Sequence, residues 1–314
     1  MYDNAPIGVI REGMNMVFTE QEKQFTRIIA DFTSFGSKHL PDDVLIRLKE
    51  LRKEETSEKA SIFYDAMFKD LEMAEQYDRP LCQDTGVIQY FVRAGSAFPL
   101  LGSVEKCLRE AARISTKEAP LRHNCVNIFD EKNTGDNTGV RIPWIDWEIV
   151  PDSPEIQIYM YMAGGGCSLP GCATVLMPLD GYEGVVKYVF DRLCSYGINA
   201  CPPLLVGIGI GGSVEVAARL SKIALLRPVR SCNENAAAAD LESRIEKGLN
   251  DLNFGPGGIT GKYSVMGVNI EQAGRHPSTL AVGLSTGCWA HRRALIRIDK
   301  DMNYELLSHK GARL

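Results

Sequence analysis

From Val87 onward the chain alternates short apolar runs with amphipathic stretches, and this alternation restricts the fold more than any other feature. The runs are VIQYFVRAG, WIDWEIV, EIQIYMYMA, PPLLVGIGI, STLAVGLST and ALIRID. Their β-branched, aromatic and aliphatic content and their brevity predict strands. Between several of them lie helical patterns, namely VEKCLREAARISTKEA, YEGVVKYVFDRLCSY, VEVAARLSKIALL and AAADLESRIEKGLNDL. The first eighty residues read differently, as helix throughout. TEQEKQFTRIIADFTSF opens with Thr19 and Glu22 at capping-box spacing. PDDVLIRLKELRKEE begins with Pro41, where helices favour proline. The expected fold is therefore α/β, a helical N-terminal portion followed by mixed strands and helices. Without a Pro-, Ser- or Gly-rich linker, low-complexity tract or long repeat, residues 19–314 read as one domain after an N-terminal extension of residues 1–18.

Several function classes are excluded early. A net charge of −5 with acids and bases interspersed leaves no basic footprint for nucleic acid or an anionic membrane. No apolar run approaches the roughly 20 residues that a bilayer span requires. MYDNAPIGVIREGMNMVF lacks the basic and apolar regions of a signal peptide, so a cytoplasmic location is expected. The nine cysteines include no CxxC pair, which disfavours a zinc site built from neighbouring thiols.

Glycine-rich loops offer two nucleotide motifs, and both are weak. In GIGIGGS, Gly207, Gly209 and Gly212 match G-x-G-x-x-G between strand and helix. The second strand ending in an acid about 20 residues on, which a dinucleotide fold needs, is missing. Close packing of helix on strand is the better reading. GPGGITGK carries Pro256 where a phosphate loop has its first glycine and Tyr263 where it has Ser or Thr.

Three cysteines lie at strand–loop junctions flanked by Pro or Gly: Cys82 in RPLCQDTG, Cys201 in NACPPLLVG and Cys288 in LSTGCWAHRR. Spacing alone does not select these three, since a lone cysteine is commonly an inert buried thiol. Their neighbours are suggestive. Gln83 and Asp84 follow Cys82, Arg275 and His276 precede Cys288, and APLRHN adds Arg122 and His123. Cationic and acid–base groups beside thiols in rigid loops suit a small anionic substrate.

Taken in order, CQDTG, APLRHN, NTGDNTG, MAGGGCSLPG, NACPPLLVGIGIGGSVE, SVMGV, RHPSTLAVGLSTGCWAHRR and the final LSH resemble the iron–sulfur hydro-lyases that include class I fumarases. The resemblance runs from about Thr19 to the end. It implies that Cys82, Cys201 and Cys288 hold a [4Fe–4S] cluster, leaving one iron open where electron-carrying clusters usually have a fourth thiolate. An open metal position is what Lewis-acid catalysis requires. It further implies that Gln83, Asp84, Arg122 and the backbone of Gly165 bind a small dicarboxylate substrate. Asp84 would transfer protons, and His276 would support catalysis.

Single-chain class I fumarases continue into a further domain that completes the active site, whereas two-subunit members carry it on a separate beta subunit. The resemblance therefore implies an alpha chain with a beta partner, and symmetry favours pairing of two such units in an α2β2 assembly. A different class of function, electron transfer or cluster carriage, would require a fourth nearby thiolate.

Overall fold

The computed structural model describes residues 17–314. Most of the proposed N-terminal extension therefore lies outside the described residues. The chain forms two compact units, one from residues up to 41, 73–163 and 292–314, the other from 42–72 and 164–291.

The first unit is built on a five-stranded sheet. Its strands are β1 (Val87–Gly95), β2 (Trp144–Val150), β3 (Ile156–Ala163), β8 (Arg293–Ile298) and β9 (Tyr304–Leu306), in the order β2-β1-β3-β8-β9. β1 runs parallel to β2 and antiparallel to β3, with Val87 opposite Ala163. The turn before β1 therefore lies beside the end of β3. Helices α1 (Glu20–Lys38) and α4 (Val104–Glu118) cover the sheet with Phe25, Ile29, Phe32, Leu108 and Ala111 against Ile88, Ile158 and Ile296. Each such fully buried large side chain contributes about 1.5–3 kcal/mol.

The expected capping box is present at the start of α1. Thr19 Oγ1 accepts the Glu22 N–H, and the Glu22 carboxylate accepts the Thr19 N–H at 2.8 Å. At the other end of α1, a Cβ on Gly36 would stand 2.3 Å from the Met160 methyl, so glycine lets helix and sheet close up.

The second unit carries a four-stranded sheet of β4 (Cys172–Leu176), β5 (Leu204–Ile210), β6 (Val265–Gln272) and β7 (Leu280–Gly287), ordered β4-β7-β5-β6. Helices α2 (Asp42–Glu54), α6 (Gly181–Tyr196), α7 (Val214–Leu226) and α8 (Ala236–Asn250) belong to it, along with the short α5 (Gly165–Ser168). Helix α3 (Glu58–Tyr77) supplies residues to both units. The glycines of GIGIGGS explain themselves here. A Cβ on Gly207 would lie 2.2 Å from the Ser221 carbonyl, and one on Gly209 would lie 2.0 Å from that of Ala217. A Cβ on Gly283 of β7 would meet the same Ala217 carbonyl at 2.3 Å. These glycines let α7 lie directly on the sheet.

β4, β6 and β9 go beyond the strands expected from sequence, as does the short α5 in a run read as a glycine loop, and the longer helices arise where the periodicity placed them. No helix among the described residues is long and apolar enough to cross a membrane.

Candidate active site

In the first unit, residues 82–86 form the turn that delivers the chain into β1. The Asp84 side chain folds back over it, with Oδ1 accepting the Gly86 N–H at 2.9 Å in an Asx-type turn. The same oxygen accepts Asn124 Nδ2 at 2.5 Å. The Asp84 N–H donates to the Cys82 sulfur at 3.4 Å, and the Cys82 thiol donates to Gln83 Oε1 at 3.5 Å. Buried Arg292 donates from Nη2 to the Asp84 carbonyl at 2.6 Å, which fixes the turn from the sheet side. Cys82 and Asp84 are half-buried, while Gln83 is exposed.

The segment bearing Arg122 is fastened to this turn. Asn137, fully buried and in the left-handed region with φ 58°, accepts the Asn124 N–H at 2.7 Å. Its amide donates to the Arg122 carbonyl at 3.1 Å and to Thr116 Oγ1 at 3.2 Å. Asn133 adds a bond to the His123 carbonyl at 2.6 Å. The motif NTGDNTG thus holds the motif LRHN by its backbone, and Asn124 carries that register to Asp84. Arg122 itself is exposed.

In the second unit, Cys201 occupies the left-handed region (φ 56°, ψ 65°) at the end of the 3-10 turn Gly197–Ala200, and it is exposed. Cys288 immediately follows β7. Because Leu205 on β5 pairs with Gly287 on β7, both thiols lie at the same end of adjacent strands. The Trp289 N–H donates to the Cys201 carbonyl at 3.1 Å, locking the two turns together. The loop of Gly165 is drawn to the same end. A Cβ on Gly166 would stand 3.0 Å from the Asn199 carbonyl, and Thr286 Oγ1 donates to the Cys167 carbonyl at 2.5 Å.

Cys167 itself is buried, its thiol donating to the Gly164 carbonyl at 3.2 Å, as befits a packing thiol. Burial lowers the pKa of Lys222 on α7, and the Cys167 thiol opposes that shift.

His276 has a different location. It precedes β7, whereas Cys288 follows it, so the whole strand of eight residues separates them. At about 3.3 Å per residue this is roughly 25 Å. The exposed His276 ring accepts the Ser278 N–H at Nδ1, 3.2 Å away, and its carbonyl accepts from Arg275 at 3.0 Å. Among the described residues, no three His, Cys, Asp or Glu side chains are gathered as a ligand set for a single ion.

Asn124 and Asn137 are structural parts of the site that the sequence does not single out. Asparagine tolerates left-handed backbone, which is the one signal at Asn137. Nothing local marks Asn124 as the partner of an aspartate forty positions earlier.

The fumarate hydratase (Fumerase) family profile matches residues 26–297. That span takes in both cysteine-bearing strand ends and the Asp84–Asn124–Asn137 network. The chain belongs to the Fumerase family. Within reach of this family membership lie relatives that match over nearly their whole length. An L(+)-tartrate dehydratase subunit alpha of Escherichia coli (strain UTI89 / UPEC) is 53% identical over 303 residues, covering 95% of this chain and 100% of the relative. The protein of the same name from Shigella sonnei (strain Ss046) is 52% identical with the same coverage.

Proposed function

We propose that this chain is the catalytic alpha subunit of an iron–sulfur hydro-lyase that converts L(+)-tartrate to oxaloacetate and water, completed by a beta subunit. The observation that carries this reading is the identity of 52% or more to L(+)-tartrate dehydratase alpha subunits over their full length. His123 and the run Trp289–Ala290–His291 also resemble the tartrate-acting members more than the fumarases. Fumarate hydration to L-malate is the second reading, favoured by the description of the family itself.

The donor set suits a [4Fe–4S] cluster held by Cys82, Cys201 and Cys288. Two of these thiols sit on turns joined by a hydrogen bond, and neither is fully buried. The third receives a backbone N–H on its sulfur, the kind of outer hydrogen bond that orients a metal-binding group. A cluster is larger than an ion, so its thiolates need not crowd into a single-ion cage. When bound, it supplies a Lewis acid at the iron that lacks a protein thiolate.

The chain's own groups account for the rest. Arg122, exposed on a fastened backbone, grips a substrate carboxylate through its planar fork. The Gly165 N–H donates to a substrate carboxylate, and Gln83 adds a polar contact beside it. Asp84 serves as a proton-transfer group of an acid–base pair whose other member comes from elsewhere in the site. One substrate carbon loses a proton, its electron pair forms the carbon–carbon double bond, and the neighbouring hydroxyl leaves as water. The enol so formed from tartrate becomes oxaloacetate. For His276 the proposal is a supporting role only, and its place before β7 does not by itself bring it to the thiols.

The beta subunit would provide the remaining acid–base and carboxylate-binding groups, in an α2β2 assembly. The proposed location is the cytoplasm.

The deciding experiment is anaerobic cluster reconstitution with the beta chain, then assays on L-tartrate, D-tartrate, L-malate and fumarate. The highest kcat/KM is expected on L-tartrate. Preference for fumarate or L-malate would favour the second reading. A loaded cluster with no turnover of any of the four would overturn both.

A further inference from the structure

We infer that Asn124 is a positioning residue for Asp84, and that Asn137 sets the spacing between Asp84 and Arg122. The inference rests on the acid–base and carboxylate-binding roles proposed above and adds how those two groups keep their register.

The geometry lies within one unit and involves few bonds. Asp84 Oδ1 receives two N–H donors, one from the rigid Gly86 backbone and one from the Asn124 amide. Two donors on one oxygen fix the rotation of the carboxylate plane, which a single bond would leave loose. Asn124 can do this only if its own backbone is held. That hold is Asn137, which accepts the Asn124 N–H and donates to the Arg122 carbonyl. Asn137 is in turn anchored at Thr116 on α4, a helix of the unit's core.

A chain of bonds therefore runs from α4 through Asn137 to the Arg122–Asn124 segment and on to Asp84. It links the carboxylate-gripping group to the proton-transfer group. In a reaction whose proton leaves a carbon beside a carboxylate, the separation of those two groups decides whether the bound substrate is aligned. A misplacement of about 1 Å can cost on the order of a hundredfold.

The two asparagines should fail differently. Loss of the Asn124 amide frees the Asp84 carboxylate but leaves Arg122 held, so it slows chemistry and spares binding. Loss of Asn137 frees Arg122 as well, so it also weakens binding.

The test uses the reconstituted alpha–beta enzyme. Asn124→Ala should lower kcat by about tenfold to a hundredfold, with KM within about threefold of wild type and full cluster content. With substrate deuterated at the carbon that loses its proton, the isotope effect on kcat should rise above the wild-type value. Asn137→Gly, which keeps the left-handed backbone, should raise KM as well as lower kcat. In an Asp84→Asn background, Asn124→Ala should cost less than about threefold further, since its target is gone.

Asn124→Leu, close in shape but without the donor, provides a second variant should the alanine form fold poorly, and it should show the same losses. Two results would overturn the inference while leaving the Asp84 assignment intact. One is a kcat within threefold of wild type in both Asn124 variants. The other is an equal factor of loss from Asn124→Ala in the wild-type and Asp84→Asn backgrounds. An Asp84→Asn enzyme with undiminished kcat would instead overturn the acid–base reading and this inference together.

Discussion

The N–H of Trp289 donates to the carbonyl of Cys201 at 3.1 Å, so the turn after β7 and the turn before β5 are one bonded structure. Their thiols are consequently held at one end of the sheet before any metal arrives. Such pre-organisation lowers the ordering cost of binding a cluster.

Replacing a ligand thiol by a hydroxyl should abolish stable cluster assembly, because serine is a poor substitute where soft thiolate is preferred. Cys82→Ser, Cys201→Ser and Cys288→Ser are each expected to lose most of their iron and sulfide after anaerobic reconstitution. Cys194→Ser and Cys232→Ser, at exposed positions, should retain wild-type content. Iron and sulfide analysis decides this, and a fully loaded Cys201→Ser protein would remove Cys201 from the ligand set.

Arg122 and Asp84 should separate in steady-state kinetics. Arg122→Lys keeps the charge but loses the two-pronged grip, so KM should rise about tenfold with kcat within about threefold. Asp84→Asn removes the titrating group at almost constant volume, and kcat should fall by about 10²–10⁴. A reversed pattern would exchange their roles.

Much of this architecture is legible in the sequence because local rules act locally. The Thr19–Glu22 box and the amphipathic periods of α4, α6, α7 and α8 need only nearby residues to specify them. β6 escapes because nearly all of VMGVNIEQ is buried on both faces, so the period-two alternation that marks a half-exposed strand is missing. β4 is only five residues long and partly exposed. The division into two units leaves no compositional trace, since one boundary falls within helix α3. At the site, the motifs name Cys82, Asp84 and Arg122, but the amide that fixes Asp84 arrives from a loop forty residues away. Such a contact is a property of the fold alone.

Oxygen and chelators should act on activity without unfolding the protein. An iron without a thiolate is open to solvent and oxidants, so air exposure should inactivate the reconstituted enzyme. Ferrous iron with a thiol reductant should restore it. Activity that survives both air and a strong chelator would argue against an open-iron centre. Circular dichroism measured alongside should stay constant through the cycle.

The glycines of GIGIGGS should prove to be packing residues. Gly209→Ala places a methyl 2.0 Å from a backbone carbonyl of α7, which cannot yield as a flexible side chain would. The expected destabilisation is about 1–3 kcal/mol or more, the usual range for overpacking. Gly274→Ala, where a Cβ meets nothing within 4 Å, serves as the control and should change stability by less than about 0.5 kcal/mol. Urea denaturation of the two variants makes the comparison. Equal stabilities would show that α7 can retreat from the sheet.

Glu22 should make the first helix sensitive to acid. Its carboxylate accepts the Thr19 N–H and pairs with Lys106 Nζ at 2.7 Å, bonds that hold its pKa down to about 2, Lys106 contributing most. An unfolded glutamate titrates near its ordinary value of 4.5. A depressed folded pKa means that the charge stabilises the native state fully above about pH 4.5, and that this contribution fades as pH falls toward about 2. Glu22→Gln preserves the size and an acceptor for the cap but leaves Lys106 without its partner. At pH 7 it should therefore cost about 1.5–3 kcal/mol, the range for hydrogen bonds to charged groups. The gap between wild type and variant should narrow steadily below pH 4.5, as followed by urea denaturation at successive pH values while both remain folded. A gap that stayed constant down to pH 3 would mean that the cap, and not the charge on Glu22, holds the start of α1.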